Sequence, residues 1–144
     1  MVVEDNSLRS INREFNPDNL RQTMDEFKNK TVGFEAEEWL SDDKNIALTD
    51  GKGNYNLLEY DSPGVYYAHT FYKDRGKTAV RLIQEMVRHI FDNYPVEVMK
   101  GLAPLTHLGA RWITRKAGLK SHGVVHTVIG PCELFILTRK EYQE

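Results

Sequence analysis

The chain is poor in the residues that cross-link a protein or anchor it in a membrane. It has one cysteine, Cys132, which excludes an internal disulfide framework and a cysteine-rich metal site. No apolar run is long enough to cross a bilayer, and the opening MVVEDNSLRS is too polar for a secretory signal. There is no internal repeat, low-complexity tract or interdomain linker. These absences predict a soluble, cytoplasmic protein with no membrane partner and no metal site. A further shortage is local. Between Glu97 and Glu133 there is no carboxylate, while Lys100, Arg111, Arg115, Lys116 and Lys120 fall there with His107, His122 and His126.

The net charge of −2 hides this asymmetry, because residues 1–61 carry 14 acidic and 7 basic side chains and residues 62–144 carry 7 and 12. The basic stretch suits an anionic cofactor or a nucleic acid, and a solvated helix face explains it as well. Nucleic acid is not the expected partner. With 144 residues, 40% hydrophobic and 28% charged, the chain is long enough to bury the core of one domain spanning 1–144.

The stretch from Gly64 to Tyr94 organises the rest. Val65 to Tyr72 is rich in aromatic and β-branched residues and predicts a largely buried strand. Lys73-Asp74-Arg75-Gly76-Lys77 breaks the pattern. From Thr78 onward, Ala79, Val80, Ile83, Met86, Val87, Ile90, Phe91 and Tyr94 recur at steps of three and four, the apolar stripe of a long helix. A helix entered through a glycine and several cations presents unpaired N–H groups and the positive end of its dipole. With Arg75 and Lys77 beside them, those groups favour an anion such as phosphate; an ordinary solvated basic turn is the plainer alternative.

Elsewhere the pattern predicts a loosely attached arm over Met1–Phe15 and a helix over Pro17–Lys30 capped by Asn16. A short helix over Glu35–Leu40 follows. Strands Asn45–Thr49 and Tyr55–Tyr60 are joined by Asp50-Gly51-Lys52-Gly53. After the long helix comes a strand over Val96–Gly101, parallel to the Val65 strand through a right-handed crossover. Thr106 would cap a helix over Leu108–Ala117 with Leu108, Trp112 and Ile113 inward, stopped by Gly118. Gly123–Ile129 and Glu133–Thr138 would form an antiparallel pair turning at Gly130-Pro131-Cys132.

This order of elements, with an anion-binding loop ahead of the long helix, resembles the GNAT acetyltransferase superfamily. Lys73-Asp74-Arg75-Gly76-Lys77-Thr78 is similar to the family's pyrophosphate loop, with Gly76 in place of its first glycine. His107, Ala110 and Gly118-Leu119 keep the spacing of a second family pattern, His107 standing where many members have Asn. Thr114 stands where many have a tyrosine that protonates the departing thiolate. The run Val65-Tyr66-Tyr67-Ala68-His69-Thr70, followed by Arg75-Gly76, resembles a subgroup found in phage and prophage genomes.

The resemblance implies an α+β fold, a mixed and mostly antiparallel central sheet flanked by helices. It also implies acetyl transfer from acetyl-CoA to a small-molecule or protein amine. The residues implied at the cosubstrate are Thr70, Phe71, Tyr72, Arg75, Gly76, Lys77, Thr78, Ala79 and His107, with backbone N–H groups of Thr70–Tyr72 as oxyanion donors. His69 is the candidate general base, since imidazole titrates near neutrality. A hydrogen-bonded sheet histidine is the competing reading, and ordered water or Glu59 is the alternative base. A GNAT-fold protein without catalysis is the rival function, and a homodimer is a further expectation. Aromatic side chains of the Val65 strand serve equally as pocket or core. Cys132 has no neighbour in sequence that would activate it.

Overall fold

A computed structural model describes residues 9–10 and 42–144. The expected helices over Pro17–Lys30 and Glu35–Leu40 lie outside them. Of the expected N-terminal arm, Arg9–Ser10 is described and forms strand β1, paired antiparallel with Leu48 and Thr49, so the arm is fastened to the sheet at this point. Strands β2 (Ile46–Thr49), β3 (Tyr55–Ser62) and β4 (Val65–Phe71) follow as antiparallel neighbours. The β2–β3 turn uses Gly51 and Gly53 at φ +78° and +86°, conformations that favour glycine. Helix α1 (Gly76–Asn93) then crosses to β5 (Val98–Pro104), which runs parallel to β4.

Helix α2 (Leu108–Lys116), strands β6 (Lys120–Thr127) and β7 (Gly130–Thr138), and the short helix α3 (Arg139–Gln143) complete the chain. The sheet order is β1-β2-β3-β4-β5-β7-β6, with one parallel pair in an otherwise antiparallel sheet. This is the expected α+β architecture.

The stripe read from the sequence is the one α1 buries, except that Leu82 takes the place of Val80 and Tyr94 is only partly buried. Ala79, Leu82, Ile83, Met86, Val87, Ile90 and Phe91 pack on a sheet face that carries Leu48, Leu58, Met99, Phe135 and Leu137. Burial of each large apolar side chain contributes roughly 1.5–3 kcal/mol. The far end of the helix is closed by Arg139, whose Nη1, Nη2 and Nε donate to the carbonyls of Phe91 (2.8 Å), Tyr94 (2.8 Å) and Val96 (2.9 Å). A cation on the last carbonyls satisfies orphan acceptors and opposes the negative end of the dipole.

Four expectations need correction. The Val65 strand is only partly buried: Phe71 and Tyr72 are buried at its end, His69 is exposed, and from Ala68 to Thr70 it has no β5 partner. The strand after α1 begins at Val98 rather than Val96, since the N–H groups of Glu97 and Val98 both donate to the Gly64 carbonyl at the turn. The last hairpin turns at Val128-Ile129, and Gly130-Pro131-Cys132 lies inside β7. Thr127 closes that turn: its hydroxyl donates to the Gly130 carbonyl at 2.9 Å and accepts from the Ile129 N–H at 3.3 Å.

The fourth correction concerns α2. Leu108 and Trp112 face outward, 70% and 47% exposed, and the side packed on the core carries Ala110 and Ile113. Polar contacts fasten this helix. Buried Glu133 of β7 accepts from Arg111 Nε at 2.9 Å, Arg115 Nη2 at 2.5 Å and the Ser121 hydroxyl at 2.6 Å. The basic stretch is thereby partly neutralised from within, and Lys120 pairs with Glu141 at 2.6 Å.

Ser121 first, then Arg111 and Arg115, hold the Glu133 carboxyl below its ordinary 4.5 against the opposing effect of burial. Its contribution to stability is therefore full above that value and is lost as the pH falls through the lower folded value. Glu133→Gln should cost about 1.5–2 kcal/mol at neutral pH, the loss of charge-assisted hydrogen bonds at a buried carboxylate whose arginine partners can still reach water. Urea melts between about pH 7 and pH 3 should show a shallower acid loss in the variant than in the parent chain. Equal slopes would exclude this pairing as a source of acid sensitivity.

Candidate functional site

Helix α1 begins where its dipole is least answered. Arg75, the N-cap residue, makes no side-chain capping bond, and the first turn holds no acidic residue. Gly76 has φ +63°, in the left-handed region, while a Cβ built on it would meet nothing within 4 Å. The glycine therefore serves the backbone turn rather than relieving a clash. This helix start opens onto a cavity of about 220 Å³. One wall is β4 and the loop after it, through Thr70, Tyr72, Asp74 and Arg75. The opposite wall is the start of α2, through His107, Ala110, Trp112 and Ile113.

The loop is held from behind. Asn54, fully buried next to the β2–β3 turn, donates from Nδ2 to Asp50 Oδ2 and to Asp74 Oδ2, both at 2.8 Å. Its Oδ1 accepts from the Asp74 N–H at 3.1 Å. One amide thus binds the hairpin to the residue preceding Arg75. Arg75 itself donates from Nη1 to the Tyr72 carbonyl. The Tyr72 hydroxyl donates to Asn56 Oδ1, and burial first of all pushes that phenol well above its ordinary value, so it stays protonated.

The expected cosubstrate residues separate by geometry. Thr70, Tyr72, Arg75, Gly76, Ala79 and His107 line the cavity. His69 and Phe71 do not, because alternate residues of a strand point to opposite faces of the sheet. Thr78 belongs to an adjoining polar hollow with Asp50, Lys52, Asp74, Arg81 and Glu85, and Lys77 is exposed on the first turn. His69 stands on the face away from α1, 43% exposed, with Nε2 3.6 Å from Glu59 Oε1.

His107 rather than Thr106 caps α2, its Nδ1 accepting from the Ala110 N–H at 2.9 Å. An accepting Nδ1 carries no proton, so the ring's N–H is on Nε2. Thr114 donates its hydroxyl to the Ala110 carbonyl at 2.7 Å and is turned back onto its own helix. Sequence reading missed Asn54, Asp74 and Trp112. The spacing of His107 and Ala110 was the only signal pointing to this end of α2.

The fold is shared with solved structures of acetyltransferases. The aminoglycoside acetyltransferase AAC(6')-Ib, in complex with ribostamycin and coenzyme A, superposes with a TM-score of 0.69 at 18% identity over 96% of each chain. A variant of the spermidine N-acetyltransferase SpeG from Vibrio cholerae gives 0.72 at 10% identity, again over 96% of each. A GNAT-family acetyltransferase from Bacillus anthracis gives 0.65 at 12% identity, over 93% of this chain and 95% of its own. No protein-family model matches the sequence, and no curated protein matches it; the likeness lies in the fold.

The Asn54 clasp carries its own prediction. Asn54→Ala removes three hydrogen bonds from a buried position and leaves Asp50 and Asp74 without the amide between them. The expected loss is about 2–3 kcal/mol in urea denaturation. Amide exchange at residues 74–76 should accelerate more than in β7. Uniform acceleration across the chain would mean that Asn54 supports the fold generally and not the loop.

Proposed function

We propose that this chain is an N-acetyltransferase that takes acetyl-CoA as cosubstrate and acetylates an amine by direct transfer. The observation that carries the reading is the start of α1. An 18-residue helix begins with no side-chain cap and no acidic residue in its first turn, flanked by Arg75 and Lys77, at the mouth of a cavity whose one carboxylate, Asp74, accepts from Asn54. Backbone N–H groups of Gly76, Lys77 and Thr78, with both cations, would hold the pyrophosphate. Thr70, Tyr72, Ala79 and His107 would flank the arm that leads inward.

The acetyl thioester supplies an activated carbonyl. In the transfer the amine nitrogen bonds to that carbon, the C–S bond breaks with its electron pair leaving on sulfur, and the amine gives up a proton. The edge of β4 facing β5 lacks a strand partner from Ala68 to Thr70, and backbone N–H groups of the Thr70–Tyr72 region suit the oxyanion role. His69 receives the proton in this reading. It stands beside the opening between β4 and β5 on the face away from the cavity, so an acceptor can reach it without competing for the cosubstrate's space. Glu59 beside it is the alternative base.

A second reading keeps the ligand and drops the reaction. The hydroxyl of Thr114 is bonded to the Ala110 carbonyl. The position at which many family members have an acidic tyrosine therefore offers the thiolate no proton, which favours a GNAT-fold binding protein. The finer expectations, a cytoplasmic location, a homodimer and kinship with the phage-type subgroup, belong to this proposal and rest on the sequence. Among the described residues no helix is long and apolar enough to cross a membrane.

Calorimetry with acetyl-CoA tests the ligand. Binding is expected, and Arg75→Ala should weaken it at least tenfold, about the contribution of one charge-assisted contact, with little change in Tm. Absence of binding at millimolar acetyl-CoA overturns both readings. His69→Gln tests the reaction. Turnover should fall roughly 10²–10⁴-fold with acetyl-CoA affinity retained, and the acid limb of the pH–rate profile should flatten. A stable variant with unchanged turnover would take His69 out of the mechanism.

A further inference from the structure

The face of the sheet away from α1 carries a row of side chains that the cosubstrate reading does not use. Register sets it out. Glu59 of β3 lies opposite Tyr67 of β4, Tyr67 opposite Lys100 of β5, and Lys100 opposite Ile136 of β7. Neighbouring strands are about 4.8 Å apart, so the backbone positions of Glu59 and Lys100 stand roughly 10 Å apart with the Tyr67 ring between them. The Lys100 ammonium leans inward over that ring, 5.4 Å from its centroid. Glu59 leans along the diagonal to His69. Tyr67↔Lys100 is also the last register of the β4–β5 pairing, so the row lies at the point where the two strands part.

Among the described residues, two acid–base pairs lie on this face. Glu59 faces His69 at 3.6 Å and Asp61 faces Lys100 at 4.0 Å, and all four side chains are partly exposed. With His69 neutral, as a proton acceptor is, Glu59 and Asp61 outnumber Lys100 by one, so it is the order of groups along the row, and not their sum, that distinguishes a zwitterion from a polycation. A row with a carboxylate and imidazole at one end, an ammonium at the other and an aromatic ring between them matches a molecule with the opposite order of charges. The Lys100–Asp61 separation is at the long limit of an ion pair, so an incoming anion competes with Asp61 at small cost.

We propose that the acceptor is a small amine that carries an anionic group at the other end of its chain, such as an amino acid reacting at a side-chain amine. Its ammonium sits at Glu59 and His69, its carboxylate at Lys100, and its chain lies across Tyr67. This rests on the acetyl-transfer reading above. Lys100 is then a specificity-determining residue, and Tyr67 sets the distance between the two ends.

The test uses the full chain with acetyl-CoA and follows thiol release with matched acceptors: lysine against cadaverine, and ornithine against putrescine. The carboxylate-bearing member of at least one pair should have the higher kcat/KM, by about tenfold, the contribution of one charge-assisted hydrogen bond. Lys100→Met should remove that preference through a raised KM for the carboxylate-bearing member, and Lys100→Arg should retain it. Thermal melts of both variants establish that they are folded. Preference for the decarboxylated amines overturns the proposal, as does an equal loss of both members in Lys100→Met. If calorimetry finds acetyl-CoA bound but no acceptor of either kind is used, the acceptor inference fails while the cosubstrate reading stands. If acetyl-CoA does not bind, both fail.

Discussion

Arg139 gives three N–H donors to the carbonyls of Phe91, Tyr94 and Val96, and the arrangement of the molecule follows from what that does to α1. The negative end of the helix is closed by a guanidinium fixed between β7 and α3. The positive end has no such answer. The two ends of a helix are satisfied separately, so the cap at the negative end leaves the N–H groups of the other to whatever meets them there. That other terminus is the wall of the cavity. The sheet contributes the rest, because Asn54 ties the loop ahead of the helix to the β2–β3 hairpin and leaves its N–H groups little freedom to turn away.

The parallel pairing of β4 with β5 is the second constraint. It covers only Val65–Tyr67 against Val98–Lys100, and beyond it β5 continues with β7 while β4 continues with β3. The sheet therefore has an opening in its middle without having an edge there. Residues of β4 on either side of that opening alternate between the cavity face, with Thr70 and Tyr72, and the face of His69 and Tyr67. Two molecules can approach the same backbone from opposite directions, which a continuous sheet does not allow.

What was legible in the sequence was what a local period encodes. The stripe from Ala79 to Phe91 had a 3.6-residue period and is the buried face of α1. The paired glycines of the first hairpin had a conformational meaning that the structure keeps. In α2 the same reasoning failed in part. Ile113 packs on the core as expected, but Leu108 and Trp112 face outward, Trp112 beside the cavity, because periodicity does not say which way an apolar face turns. The small residues Ala110 and Ala117 gave no apolar signal, although the close approach of α2 to the sheet needs them. Glu133 was legible only as the end of a carboxylate gap, since its partners Arg111, Arg115 and Ser121 come from 12 to 22 residues away. Asn54 fell between the expected turn and strand and drew no reading, because its link to Asp74 spans 20 positions.

The thin apolar hold on α2 has a consequence for motion. None of its nine residues is fully buried, and its fastening to the sheet relies on an ion-paired carboxylate. Local opening free energies follow buried apolar contact, so this helix is the cheapest part of the cavity to loosen, while α1 opens only with the sheet beneath it. One wall of the cavity is therefore compliant and the other stiff. A molecule entering from the α2 side displaces a single helix turn and leaves the core intact. Once seated it joins the two walls, so occupancy would be felt as a slowing of α2's fluctuations far more than as a change in average shape.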